Sequence, residues 1–214
     1  EAWLNTKIAD ARVPLSTARA RVEDTAIIDA IQKVQMHYAR ADVSFTSVFT
    51  TDLEIAKGPV TARQIAALYM YENELYAVQG NGRIVREALE NSARYFDTCA
   101  APCGSGPRAN PQVFGFNYDV AQGVTYEIDV TRPAGERIRN LRFRGEPLDD
   151  ARPLRIAVNN YRAGGSGGYG MFRDTRLLWR SYEDIRDLMI RYYGEGHELP
   201  SAADRNWRIA AGSP

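Results

Sequence analysis

Histidine is the residue most often recruited for acid–base catalysis and metal binding, and it occurs in this chain only at positions 37 and 197. Di-metal hydrolytic sites are built from clustered histidine, aspartate and asparagine side chains. His37 and His197 are far apart in the sequence, so each is interpreted as a structural or surface histidine. The sequence also lacks the signatures of serine nucleophiles, zinc proteases and P-loops. These residues therefore predict no catalytic centre and no metal site in this chain.

Cys99 and Cys103 are the only cysteines and lie in a segment rich in proline and glycine. A disulfide between them would close a very short loop, adding little stability but pinning the segment. A zinc site would need about four ligands, and no histidine is near. The sequence leaves the oxidation state of the pair open. A disulfide would favour a location outside the cytoplasm.

The glycine-rich run from Gly164 to Gly168 follows a predicted strand and could hold a phosphate. Its spacing fits neither a P-loop nor the dinucleotide-binding fingerprint. Glycines also allow a backbone to pass close to a flat ligand or to another domain, because no Cβ intervenes. Tyr161 and Tyr169, which flank the run, make this second interpretation attractive.

Twelve tyrosines are many for a chain of 214 residues. Most are expected to be half-buried, with the hydroxyl group at the surface. Tyr71 differs because it ends a predicted helix where the chain must turn. A nucleobase stacked on such a ring gains roughly 1–3 kcal/mol, so Tyr71 is a candidate ligand-stacking residue.

The secondary-structure elements that must position these residues include three helices before the segment 97–112 and are mainly strands after it. Helical periodicity predicts a first helix after Asp24, a second capped by Thr61 and a third ending near Phe96. The segment 97–112 is predicted to be a loop. Further predicted elements are a helical tail over 2–11, strands at 43–49, 75–79, 114–116, 124–130, 138–143, 154–158 and 207–209, and a helix over 182–193.

Helices followed by a meander of strands, without regular β–α–β alternation, predict an α+β fold. We expect a single domain with N-terminal helices packed on a mixed or antiparallel sheet. The length of 214 residues, 44% hydrophobic and 25% charged, suits one substantial core. With a net charge of +0, no long-range field would recruit a nucleic acid polymer or an anionic membrane. No apolar run is long enough to span a bilayer.

Short blocks of the sequence, taken in order, resemble the 5'-nucleotidase C-terminal domain family over residues 2–175. Their order along the chain makes them far more specific than any one block alone. They lie at 43–49, 58–61, 68–75, 85–93, 116–119, 123–130, 137–141, 145–149 and 158–165.

The resemblance implies a two-domain enzyme. An N-terminal metallophosphoesterase domain would carry two divalent metals and the catalytic residues, while this C-terminal domain would hold the nucleotide. Residues 1–12 would be part of an interdomain linker helix, and residues 13–214 the substrate-binding domain. No cofactor is expected in this chain, which alone is expected to be inactive. The resemblance also implies a nucleotide or nucleoside ligand, the N-terminal domain as partner, and a periplasmic, cell-surface or secreted bacterial protein.

The resemblance further implies that two aromatic rings sandwich the base. The matching positions are Tyr71 and Tyr161, and Asn73 matches the position that hydrogen-bonds the edge of the base. Gly164 and Gly165 follow Tyr161 in the same block and are expected to approach the ligand closely.

The sequence departs from 5'-nucleotidases at two places. The block at Ser44–Phe49 lacks the asparagine and the arginine that touch substrate there, and the ribose-binding aspartate falls near Gly167. These departures favour the branch of 2',3'-cyclic-nucleotide 2'-phosphodiesterases/3'-nucleotidases. The alternatives are a stand-alone nucleoside- or nucleotide-binding module, a 5'-nucleotidase domain, or a domain with the same fold and no ligand.

Overall fold

The structure is a computed structural model that describes residues 2–100, 103 and 106–210. Within these residues the helices are short and the strands numerous. The α-helices are α1 Ala26–Ala39, α2 Ala62–Leu68, α3 Gly82–Ala93, α4 Asn160–Ala163 and α5 Ile185–Gly194. The strands are β1 Lys7–Ala11, β2 Leu15–Ser16, β3 Val43–Ser47, β4 Glu54–Ile55, β5 Gly58–Thr61, β6 Glu74–Asn81, β7 Asp119–Gln122, β8 Val124–Asp129, β9 Ile138–Phe143, β10 Glu146–Pro147, β11 Pro153–Asn159, β12 Arg176–Asp184 and β13 Trp207–Ala210. Single turns of 3₁₀ helix cover Ala2–Asn5, Gly115–Asn117, Ser166–Gly168 and Gly170–Phe172.

A five-stranded sheet in the order β12-β6-β11-β3-β7 forms the centre of the fold. Only the β11–β3 pair is parallel, so the sheet is mixed. Helix α1 packs against β3 and β11, and α3 packs against β6, β7 and β9. A second sheet, in the order β10-β9-β8-β13, continues the core. The predicted α+β fold, with helices on a mixed sheet, is confirmed.

The local signals for α2 are also confirmed. Thr61 is its N-cap and forms a capping box with Gln64, whose backbone N–H donates to the Thr61 hydroxyl. Helix α1, by contrast, begins after Thr25, and Asp24 does not cap it. The Asp24 carboxylate instead accepts a hydrogen bond from the backbone N–H of Asn206, 3.3 Å away.

The predicted helical tail over 2–11 is wrong in its second half. Residues Ala2–Asn5 form one 3₁₀ turn, and Lys7–Ala11 form strand β1. Strand β1 pairs antiparallel with β5, with Ala9 opposite Val60. This ladder satisfies backbone groups that a short isolated helix could not protect, so tertiary pairing overrides local helix propensity. The assignment of residues 1–12 to an interdomain linker stays a prediction.

Two further expectations are corrected. The predicted helix over 182–193 begins only at Ile185, because Arg176–Asp184 form β12 at the edge of the central sheet. The predicted strand at 114–116 is a 3₁₀ turn instead. Of the predicted loop 97–112, residues 101, 102, 104 and 105 lie outside the described residues. No helix in the described ranges has the length and apolarity needed to cross a membrane.

Candidate functional site

An aromatic cleft of ≈ 180 Å³ opens at one end of the central sheet. Four of its six lining residues carry aromatic rings. The lining residues are Phe49, Tyr71, Phe116, Asn159, Tyr161 and Arg162.

Strand direction explains why these residues meet. Strands β3 and β11 run parallel, so the chain leaves both at the same end of the sheet, just before Phe49 and Tyr161. Strands β6 and β7 are antiparallel to their neighbours, so they begin at that end, just after Tyr71 and Phe116. Four connections distant in sequence therefore converge on one cleft.

The two tyrosines proposed from the sequence both line this cleft. Tyr71 is 42% exposed and Tyr161 is 44% exposed, which leaves part of each ring accessible to a ligand. The ring of Phe49 contacts Tyr71 edge-on, with the centroids 5.1 Å apart, and Tyr69 at 4.8 Å. Phe49 therefore supports Tyr71 from within the fold.

Beneath Tyr161 lies a buried ion pair. Arg162 Nε and Nη2 each donate to a different carboxylate oxygen of Asp119, both at 2.8 Å. The Arg162 guanidinium also lies 5.3 Å from the centre of the Tyr161 ring. Burial lowers the pKa of Arg162, but the charge and hydrogen bonds of Asp119 raise it more, so that the pKa lies above the ordinary value. This arginine stays cationic and anchors α4.

A second buried contact ties the two sides of the cleft together. The side-chain amide of Asn159 donates to the hydroxyl of Tyr69 over 2.9 Å. Burial raises the pKa of Tyr69 above its usual value, and the hydrogen bond from Asn159 lowers it in part. Tyr69 is therefore a neutral structural partner of the cleft.

The other predicted site residues lie outside the lining of the cleft. The backbone C=O of Asn73 accepts from the N–H of Ile185 at 2.8 Å and so fixes the start of α5. The backbone N–H groups of Gly164 and Gly165 donate to Asn160 and Arg162. Gly165 has a φ of 84°, which fits the left-handed turn after a helix. Ligand contacts of Asn73, Gly164 and Gly165 stay predictions.

Sequence reasoning missed four lining residues: Phe49, Phe116, Asn159 and Arg162. The sequence pattern predicts strands at Phe49 and Phe116, where an aromatic residue is expected to pack in the core. The useful signal was the Asn-Asn-Tyr-Arg block, in which Asn159 and Arg162 flank the predicted tyrosine.

The glycine-rich run makes close contacts within the chain itself. Gly167 has a φ of 72°, and a Cβ there would overlap Asn117 Oδ1 and Arg162 Nη1. A Cβ on Gly168 would crowd Asn91. These neighbours are side chains of the same domain, so the predicted approach of the run to a flat ligand or to another domain stays a prediction.

The two cysteines and the two histidines pair in the fold. Cys99 and Cys103 form a disulfide. His37 and His197 are both exposed, with their ring centroids 5.6 Å apart, and His197 stacks on Tyr192 at 3.8 Å. Both pairs lie outside the lining of the aromatic cleft.

An acidic cluster joins the start of α1 to the segment before β13. Carboxylate oxygens of Asp24, Asp29 and Asp204 lie within 4.8 Å of one another. Burial, reinforced by the charges of Asp24 and Asp204, raises the pKa of Asp29 to about 8. The cluster therefore retains a proton at neutral pH.

Comparisons with known proteins find similarity to a family model and to several curated proteins. The family described as "5'-nucleotidase, C-terminal domain" matches residues 7–174. A 2',3'-cyclic-nucleotide 2'-phosphodiesterase/3'-nucleotidase of Salmonella typhimurium is 36% identical over 177 residues, which cover 74% of this chain and 27% of that protein. A trifunctional nucleotide phosphoesterase of Bacillus subtilis is 32% identical over 170 residues, covering 73% of this chain and 12% of that protein.

The fold is also found in solved structures. A putative 5'-nucleotidase of Staphylococcus aureus superimposes with a TM-score of 0.84 at 27% identity, covering 97% of this chain and 41% of that chain. The chain thus spans less than half the length of each of these relatives. Its similarity is confined to one part of them.

Proposed function

From the premise that this chain belongs to the 5'-nucleotidase C-terminal domain family, we propose that it is the substrate-binding part of a two-domain metallophosphoesterase. Its substrates are 2',3'-cyclic or 3'-nucleotides, and Tyr71 and Tyr161 hold the base. The observation that carries the proposal is that these two half-exposed tyrosines, ninety positions apart by sequence number, line the same cleft.

Stacking explains how such a cleft can accept several nucleotides. Every base has a π-face, so a pair of aromatic rings gains affinity without reading the base edge. The Arg162–Asp119 pair beneath Tyr161 and the Phe49 contact with Tyr71 hold the rings in place. A preorganised cleft loses less conformational entropy when the ligand binds.

Two features favour the cyclic and 3'-nucleotide branch over 5'-nucleotides. Residues Val43–Ser47 are buried in β3, so the Ser44–Phe49 block presents Phe49 to the cleft and no asparagine or arginine. Gly167 has no room for a ribose-binding aspartate, because a Cβ would overlap Asn117 and Arg162. The Salmonella relative named above supports the same branch.

The catalytic step belongs to the N-terminal domain of the same protein, which carries two divalent metals. Binding energy from the base positions the remote phosphate for metal-activated water, and closure of one domain on the other gates turnover. The disulfide between Cys99 and Cys103 fits a periplasmic, cell-surface or secreted location, because disulfides persist in oxidising compartments.

Calorimetric titration of this chain with 3'-AMP and with adenosine tests the proposal. We expect Kd values of about 0.1–1 mM, since 1 mM corresponds to about −4.1 kcal/mol. Tyr71→Ala and Tyr161→Ala should each weaken the affinity for both ligands by at least ~5-fold, because each removes one stacking face.

Tyr182→Ala is the matched control, because Tyr182 is the most exposed tyrosine in the described chain and does not line the cleft. It should bind both ligands like the wild type. No heat with either ligand up to several millimolar, or equal losses in all three variants, would refute the stacking role of the cleft.

A further inference from the structure

Phe114 and Phe116 form a pair of parallel, exposed rings beside the cleft. Their centroids are 5.3 Å apart and their planes differ by 6°. Phe114 is 66% exposed and Phe116 is 36% exposed. Single exposed apolar residues are common on proteins, but a stacked pair that adjoins a ligand cleft forms a continuous aromatic surface.

The turn that carries these rings is firmly held. The backbone C=O of Phe116 accepts from Arg162 Nη2 at 2.6 Å and from the hydroxyl of Ser47 at 2.9 Å. The N–H of Asn117 donates to the C=O of Phe114 at 2.9 Å. The two rings are therefore presented to solvent by an ordered backbone, which lowers the entropic cost of stacking a ligand on them.

The pair continues the cleft outward. Phe116 lines the cleft together with Tyr71 and Tyr161, and Phe114 stacks on Phe116 beyond it. The Arg162 guanidinium contacts both Tyr161 and the Phe116 backbone, so one buried group fixes both surfaces relative to each other.

We propose that Phe114 and Phe116 form a second stacking subsite, which binds the base next to the terminal one in a short oligoribonucleotide that ends in a 3'-phosphate or a 2',3'-cyclic phosphate. The proposal rests on the proposed function, because Tyr71 and Tyr161 hold the terminal base. It extends the substrate class from mononucleotides to dinucleotides.

The chemistry of RNA breakdown fits this class. When a 2'-hydroxyl of RNA attacks the adjacent phosphodiester, the downstream 5'-oxygen leaves, and the upstream fragment retains a 2',3'-cyclic phosphate. Transesterification of RNA therefore supplies such ends on oligonucleotides as well as on mononucleotides, so that a neighbouring base is often attached.

Charge near the turn also suits an internucleotide phosphate. The Arg21 side chain packs so closely against the turn that a Cβ on Gly115 would overlap its guanidinium. Arg21 Nη2 donates to the C=O of Val48 at 3.1 Å, which holds its positive charge beside the Phe114–Phe116 pair. A phosphodiester between the two stacked bases would lie in a favourable potential.

Paired titrations of this chain with 3'-AMP and with the dinucleotide ApA carrying a 3'-phosphate test the subsite. We expect the dinucleotide to bind the wild type about 5- to 100-fold more tightly than 3'-AMP. Phe114→Leu, which keeps apolar area but loses the aromatic face, removes this advantage and leaves the 3'-AMP affinity unchanged. Phe114→Trp retains it, and Tyr182→Ala serves as the control.

The outcomes separate the two proposals. The second subsite is overturned if the wild type binds both ligands with equal affinity, or if the tighter binding of the dinucleotide survives Phe114→Leu. In both cases, measurable binding of 3'-AMP still supports the terminal-base cleft. Absence of binding for both ligands overturns the cleft and the subsite together.

Discussion

Arg162 and Asp119 face each other in a two-point ion pair that is closed off from solvent beneath the aromatic cleft. Both N–O distances are 2.8 Å, and the side chains are 3% and 2% exposed. The remaining donors of Arg162 reach the backbone of Phe116 and the side chain of Asn117. One guanidinium thus connects β7, α4 and the turn that carries Phe116.

Asp119→Asn should strongly destabilise the protein. The substitution keeps the shape of the side chain but leaves the buried Arg162 cation without its counter-charge, at a cost of about 3–5 kcal/mol. The free energy of unfolding from urea titration measures the effect. Adenosine affinity should fall as well, because α4 no longer holds Tyr161 in place.

Glu127→Gln is the control for this experiment. Glu127 is 20% exposed and pairs with Arg208, which is 74% exposed, so that solvent screens the pair and the loss should not exceed about 1 kcal/mol. Comparable losses for Asp119→Asn and Glu127→Gln would contradict the assigned role of the buried pair.

The acidic cluster should make stability depend on pH. Because the pKa of Asp29 in the folded protein is raised to about 8, the folded state holds a proton that the unfolded state releases near pH 4. The contribution of Asp29 to the free energy of unfolding is therefore fully present below about pH 4 and decreases as the pH rises toward 8. Thermal unfolding between pH 5 and 9 should show the decline.

Asp29→Asn should flatten that pH dependence. The neutral side chain removes the repulsion from Asp24 and Asp204 but keeps an oxygen for the backbone N–H of Asp204, which lies 3.1 Å from Asp29 Oδ2. The variant should be more stable than the wild type at pH 9, and the difference should shrink as the pH falls toward 4. An unchanged slope would show that Asp29 does not carry the proton.

How far the sequence predicts this molecule depends on the range of the interactions involved. Helix α2 follows from Thr61 and Gln64, which act within one turn. Strand β1 cannot be predicted in this way, because its partner strand β5 lies about fifty positions further along the chain. Edge strand β12 was missed for the same reason, since its pairing with β6 lacks a local signature.

The candidate site shows the same limit. The family resemblance pointed to Tyr71 and Tyr161, which the fold brings to one cleft. Phe116 could not be placed, because its exposure depends on contacts of its backbone with Ser47 and Arg162. Those contacts arise only when β3, β7 and β11 lie side by side.

Removal of the Cys99–Cys103 disulfide should cost little. The bond closes a loop with a sequence separation of 4, and chain entropy then predicts about 2 kcal/mol or less. Urea unfolding of the Cys99→Ala/Cys103→Ala double variant, compared with the wild type, measures the loss. Adenosine affinity should stay unchanged, because neither cysteine lines the cleft, and weaker binding would instead link the loop to the site.

Gly167→Asp tests why the ribose-binding aspartate of 5'-nucleotidases is missing here. The substitution forces a side chain onto a residue with a φ of 72° and pushes a Cβ into Asn117 and Arg162. We expect a stability loss above the ~1–3 kcal/mol of backbone strain alone and weaker adenosine binding as Arg162 shifts.

Gly135→Asp is the matched control, with a φ of 94° and no atom within 4 Å of its Cβ. Because Gly135→Asp introduces backbone strain but no steric overlap, the difference in stability loss between the two variants measures the cost of the overlap at Gly167. A gain in 5'-AMP affinity for Gly167→Asp would show that the glycine, and not the surrounding wall, sets the proposed preference against 5'-nucleotides.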